Sequence, residues 1–246
     1  FTVNSAIKGT GSLVKIGPGE LLFGVSNIYT GTTTVAQGSL VLRSGVVMPV
    51  GKALIVGTTY SSGATFDMSG AGVNQTIGDL SGSSYGSILL GNSQLIFGTS
   101  NSTSFSGSIS SGASGSIQKV GLGTVSLLGS SSYTGGTVLA AGGLAISQST
   151  SLGASSSLVT VTGSSTLQFL NSSITLANPI AINSGQTLTL YTDFHPTISG
   201  NISSTGAVIK AGSGDLFLTG TNSYTGGTTI QTGTLSLQNS GILSST

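Results

Sequence analysis

A phrase of 28 residues is written three times without a gap, at Lys15–Leu42, Lys119–Ile146 and Lys210–Leu237. Each copy opens Lys-x-Gly-x-Gly ("KIGPG", "KVGLG", "KAGSG"), which makes Gly17/Gly19, Gly121/Gly123 and Gly212/Gly214 equivalent pairs. An apolar alternation follows (Leu21/Phe23, Val125/Leu127, Leu216/Leu218), and then Tyr-Thr-Gly, with Tyr29 and Gly31, Tyr133 and Gly135, Tyr224 and Gly226. Each copy closes on a glycine turn (Gly38, Gly142, Gly233) and a further strand. Self-similarity of this kind is the signature of repeat architectures, in which one unit buries its apolar face on the next. The tyrosines are 104 and 91 residues apart. The chain therefore reads as a single solenoid with units of about 1–112 and 113–204 and the opening of a third at 205–246.

Spacing within a copy sets the geometry. Leu21 and Leu40, Phe23 and Leu42, Val125 and Leu144, and Leu216 and Leu235 are all 19 residues apart; Leu167/Leu188 and Phe169/Leu190 are 21 apart. Apolar residues alternate singly, the period of a strand and not of a helix. A coil of about 20 residues that returns an inward pair over the previous one is an all-β parallel β-helix. Roughly a dozen turns, each one strand spacing of ~4.8 Å, predict a rod on the order of 60 Å long.

Composition agrees with that reading and narrows the function. The 46 Ser, 33 Thr and 40 Gly would suggest disorder, but a mean hydropathy of +0.40 is too apolar for a linker. Eleven charged residues with a net charge of +1 give no field for nucleic acid or anionic lipid. No apolar run approaches the roughly 20 residues of a membrane span. A surface of hydroxyls in place of ions suits an extracellular protein. Phe1 is not an initiator Met, which points to a processed product or a piece of something longer.

The Tyr-Thr-Gly phrase reads as an instruction for a corner. Gly31, or the pairs Gly135-Gly136 and Gly226-Gly227, would supply positive φ. The tyrosines would lid the core, and the threonines that follow would face water. The opening lysine fits less simply. Alternation puts Lys15, Lys119 and Lys210 on the inward side, so either the strand bulges there or the lysine is partly buried at a corner. Glu20 and Asp215 are candidate partners across the turn, although the middle copy has Thr124 in their place.

The run "KAGSGDLFLTGTNSYTGGTTIQTGTLSL" (210–237) resembles the autotransporter-associated β-strand repeat, or passenger-associated transport repeat. "GATFDMSGAGVNQTIGDLSG" (63–82) and "FSGSISSG" (105–112) resemble the stretches that follow and precede it, so the likeness covers nearly the whole chain. The resemblance implies a right-handed β-helix in the passenger region of a secreted or surface-anchored bacterial protein, at the outer membrane. In autotransporters proper it also implies export through a β-barrel. It brings no catalytic residues, no cofactor and no metal.

Other sites are weak. Asp193-Phe-His195 is the one place where an acid and a histidine are close, but no nucleophile elbow accompanies it, and a loop is the simpler reading. Glu20, Asp67, Asp79, Asp193 and Asp215 are spread along the chain, with Asp67 and Asp79 the pair that adjacent turns would bring closest; a β-helix enzyme acting on carbohydrate would need facing carboxylates or an acidic calcium cluster. The Gly-x-Gly turns lead into strands, not into a phosphate-binding helix. Asn74, Asn101, Asn171 and Asn201 open Asn-x-Ser/Thr sequons of the kind a chain rich in Ser and Thr contains by chance. Tyr60, Tyr85 and Tyr191 are scattered. The expected function is a non-enzymatic shaft, either stalk or fibre, whose partners are more of the same polypeptide or other copies stacked end to end. The closing "GILSST" carries no charged or helical cap, which is what raises stacking. The alternative is an adhesin binding cell-surface glycans.

Overall fold

A computed structural model describes residues 1–58 and 63–238. Tyr60 and the closing "GILSST" lie outside the described residues. The described residues form a parallel β-solenoid of about 11 turns without a helix, and among them no helix is long and apolar enough to cross a membrane. Every pair of neighbouring strands runs parallel. At ~4.8 Å per turn the rod is roughly 50 Å long, slightly shorter than the spacing suggests.

The 19-residue interval is the first strand-to-strand step of each copy. Glu20–Phe23 pairs with Gly38–Leu42, so that Leu21 sits over Leu40 and Phe23 over Leu42. Thr124–Leu127 pairs with Gly142–Ile146 in the same register, and Asp215–Leu218 with Thr234–Leu237. Inward side chains build a continuous apolar column from Phe23 to Leu218. Alternation assigns one face of each strand to this core and the other to solvent, which is why the register is strongly specified.

The 21-residue step is corrected. Leu167 pairs with Leu190 and Phe169 with Thr192, an interval of 23, while Leu188 lies beside Ser165. A slip of two residues keeps every side chain on its original face. Periodicity therefore could not distinguish the two registers. The cost falls on Thr192, which takes a fully buried place that the 21-residue stacking would have left to an aliphatic residue.

Copies do not fall on a common side of the rod. The opening strand of the second copy, Ser116–Lys119, lies in one seven-stranded sheet, and that of the third, Ala207–Ala211, lies in another. The parallel bridge between Gly82 and Phe105 joins the sheet of Leu13–Lys15 to that of Ala207–Ala211, so the first and third copies start on one side of the rod and the second on another.

Candidate functional site

The repeated corner starts from the lysine. Lys15, Lys119 and Lys210 are inward members of apolar ladders: Lys15 lies beside Val35, Lys119 between Phe97 and Leu139, and Lys210 between Leu190 and Ile230. All three are buried. Each Nζ turns out of the ladder into a cage of three backbone carbonyls. Lys119 donates to Val120 O (2.7 Å), Gly121 O (2.9 Å) and Ala141 O (3.2 Å). Lys15 donates to Ile16, Gly17 and Gln37, and Lys210 to Ala211, Gly212 and Thr232. Three donors meet three acceptors, so the ammonium is satisfied without a carboxylate.

This settles the alternatives for the lysine and corrects its partner. The strand does not expel it, and neither Glu20 nor Asp215 pairs with it; the Asp215 carboxylate lies beside His195, 3.3 Å from Nδ1. The middle copy needs no acid, which accounts for Thr124. Burial pushes Lys119 down to about 8 and lowers Lys15 and Lys210, with Asp193 and Asp215 offsetting part of the effect on Lys210. At neutral pH Lys119 remains an ammonium.

The glycines form the rest of the cage. Gly17, Gly121 and Gly212 have φ of 78°, 70° and 83°, and the closing Gly38, Gly142 and Gly233 have 71°, 68° and 71°. A Cβ on Gly38 would strike the caging carbonyl of Gly17, the carbonyl of Gly19 and Lys15 Nζ, one on Gly233 the equivalent carbonyls of Gly212 and Gly214 and Lys210 Nζ, and one on Gly142 the carbonyls of Gly121 and Gly123. Gly123 and Gly214 lie against the backbone of the preceding turn, at Asn101 and Phe194. Gly19 has open space beside it.

Tyr29, Tyr133 and Tyr224 are buried, and each hydroxyl shares a hydrogen bond with the threonine four residues on: Thr33 (2.5 Å), Thr137 (2.7 Å) and Thr228 (2.6 Å). Thr33 and Thr137 therefore face inward, not towards water, because a buried phenol requires a polar partner. Burial raises all three tyrosines above their ordinary value, most strongly Tyr133. The glycines of the phrase divide two tasks. Gly136 and Gly227 take the positive φ (90° and 85°). Gly31, Gly135 and Gly226 do not, and are glycine because the backbone of the preceding turn presses on them, at Gly11, Ser114 and Gly206.

A further repeated position escaped the sequence reading. Two residues before each tyrosine stand Asn27, Ser131 and Asn222, all buried, whose side-chain oxygens accept the backbone N–H of Ile7, Ile109 and Ile202 on the preceding turn. The recurrent Asn/Ser-x-Tyr was the available signal. Exposed corners use the same device in the opposite sense. Thr32 N–H donates to Ser12 Oγ, Gln94 N–H to Asn74 Oδ1, Thr124 N–H to Ser102 Oγ and Thr221 N–H to Asn201 Oδ1, each reaching back one turn. Asn101 and Asn171 also bond across turns, to Asp79 and to the Ser147 carbonyl. The serines and asparagines thus serve as caps for backbone that the ladders leave unpaired at corners.

The remaining candidates stay apart. His195 Nδ1 faces Asp215, not Asp193, whose oxygens accept from Ser213 and Tyr191. Ser172 Oγ accepts the backbone N–H of His195. Asp67 accepts from Ser69 N–H, and Asp79 from Thr99 and Asn101, so those two carboxylates look to different partners. No group of three His, Asp or Glu side chains is placed to hold a metal ion among the described residues.

A parallel solenoid whose corners recur with the copies defines a passenger-type β-helix, and comparison with known proteins agrees. The passenger-associated-transport-repeat model matches residues 13–42, 117–146 and 208–237, so the chain carries that repeat three times. It is similar to the adhesin BmaC autotransporter of Brucella suis biovar 1 (strain 1330), with 35% identity over 98% of this chain. The chain spans 7% of the length of that relative. No solved structure matches.

Proposed function

We propose that the chain is a stretch of rigid shaft within the passenger of a bacterial surface or secreted protein, holding adhesive parts away from the cell. The observation that supports this is the self-contained corner: lysine, tyrosine and glycines are consumed by bonds inside the solenoid, and none is offered outward. What recurs in the three copies is therefore what stacks turns. Deleting whole units from the parent protein in its host, followed by immunogold microscopy and adhesion assays, tests the reading. The expected result is a shorter reach with residual adhesion. Complete loss of adhesion with the remaining passenger still displayed would overturn it.

The relative's name supports a second reading, in which the solenoid itself contacts host surfaces, with cell-surface glycans as candidate ligands. Binding of the isolated chain to cells or to a glycan panel separates the two. End-to-end stacking of copies is a third arrangement, recognised by continuous filaments in electron micrographs of native material.

A further inference from the structure

The three copies serve as controls for one another, because the fold is the same at equivalent positions and the side chains are not. At the tyrosine corner of the second copy Ser132 N–H donates to the Ile109 carbonyl, and in the third Ser223 N–H donates to Ile202. The first copy makes the same bond from Ile28 to Ile7. These bonds align Ile28 with Ser132 and Ser223, and Lys8, next to Ile7, with Ser110 and Ser203. Two copies present serine pairs at a place where the first presents an aliphatic side chain and a cation. The stack tolerates serine there, so folding does not demand the isoleucine or the lysine.

The next turn extends the difference. Val47, Pro49 and Val50 pack beside Ile28, and Ile28 and Val50 remain 60% and 67% exposed. Two shallow grooves of about 340 and 310 Å³ meet at Tyr29, with Lys52 lining one and Lys8 the other. No carboxylate lines either groove. The floor is held by the buried side chains of Asn27 and Gln75, which bond to the backbone of neighbouring turns, so the surface is preformed. A contiguous apolar surface flanked by like charges is the form of an interaction site, in contrast to single scattered apolar residues.

We propose that this corner docks an acidic segment of a partner protein that carries aliphatic side chains. The two ammonium groups select negative charge, and the isoleucine and valines take the apolar contacts. An aliphatic floor offers no aromatic face for a sugar ring, since the Tyr29 ring is buried. Two lysines are also fewer than the clusters of 4–8 that hold proteins to anionic membranes. The proposal rests on the solenoid being displayed to other molecules, and deepens the second reading above.

The test uses the whole 246-residue chain and a short fluorescent peptide of Asp, Glu, Leu and Val, with its Lys/Arg counterpart as control. Anisotropy titration is expected to show binding of the acidic peptide alone, weakened by added salt. The double variant Lys8→Ser, Ile28→Ser copies the sister corners and so should fold. It should lose about tenfold or more in affinity, roughly the change expected from 1.4 kcal/mol. Equal binding of both peptides, binding unaffected by the double variant, or binding of anionic vesicles or heparin with no peptide binding would each overturn the proposal. A separate protease-accessibility assay on intact cells reads display, so failure of docking and failure of display are distinguishable.

Discussion

Replacing Lys119 with methionine keeps the ladder filled and empties the carbonyl cage. The carbonyls of Val120, Gly121 and Ala141 lose their shared donor, and the expected loss is about 2–4 kcal/mol in chemical denaturation. The same group gives stability an unusual pH profile. Its pKa is lowered on folding, so between about 8 and the ordinary 10.5 the unfolded chain binds more protons and stability rises with pH. Tyrosine acts in reverse. Folding raises Tyr29, Tyr133 and Tyr224, so above pH ~10 the unfolded chain loses protons that the native one keeps, and stability falls. Denaturation midpoints should therefore pass through a maximum near pH 10, with the rising limb reduced in Lys119→Met. Tyr133→Phe removes one buried hydrogen bond and leaves the Thr137 hydroxyl without it, for an expected loss of about 1–2 kcal/mol. Among the described residues Ser204 is the non-glycine residue with positive φ, at 83°, so Ser204→Gly should raise stability by about 1 kcal/mol.

Strands were legible in the sequence and corners only half so. Single alternation of Leu, Phe and Thr fixes which side chains enter the core, and the 19-residue interval fixes the first stacking step. The same period is blind to shifts of two residues, which is where the stacking of Leu167 was misplaced. Corners depend on backbone contact between turns, and that information is not periodic. Glycine marks both a positive φ and a close approach with one letter, so Gly31 and Gly136 look alike in sequence and differ in cause. The lysine was visible as an anomaly, but its partners are carbonyls and leave no residue-type signature. Gly142→Ala tests the corner as a unit: the added methyl meets the Gly121 carbonyl in a backbone conformation that alanine resists. The expected loss is at least ~2 kcal/mol. Hydrogen exchange should show the loosening confined to the adjoining turns, as nearest-neighbour stacking requires.

For the whole molecule, small-angle scattering should return a rod of roughly 50 Å for the described turns, and a compact sphere would contradict the stacking. The starting strands of the second and third copies lie in different sheets. The first copy shares its starting side with the third. The caged lysines are therefore staggered between two sides of the rod, as joints are in successive brick courses, and no one side carries all three.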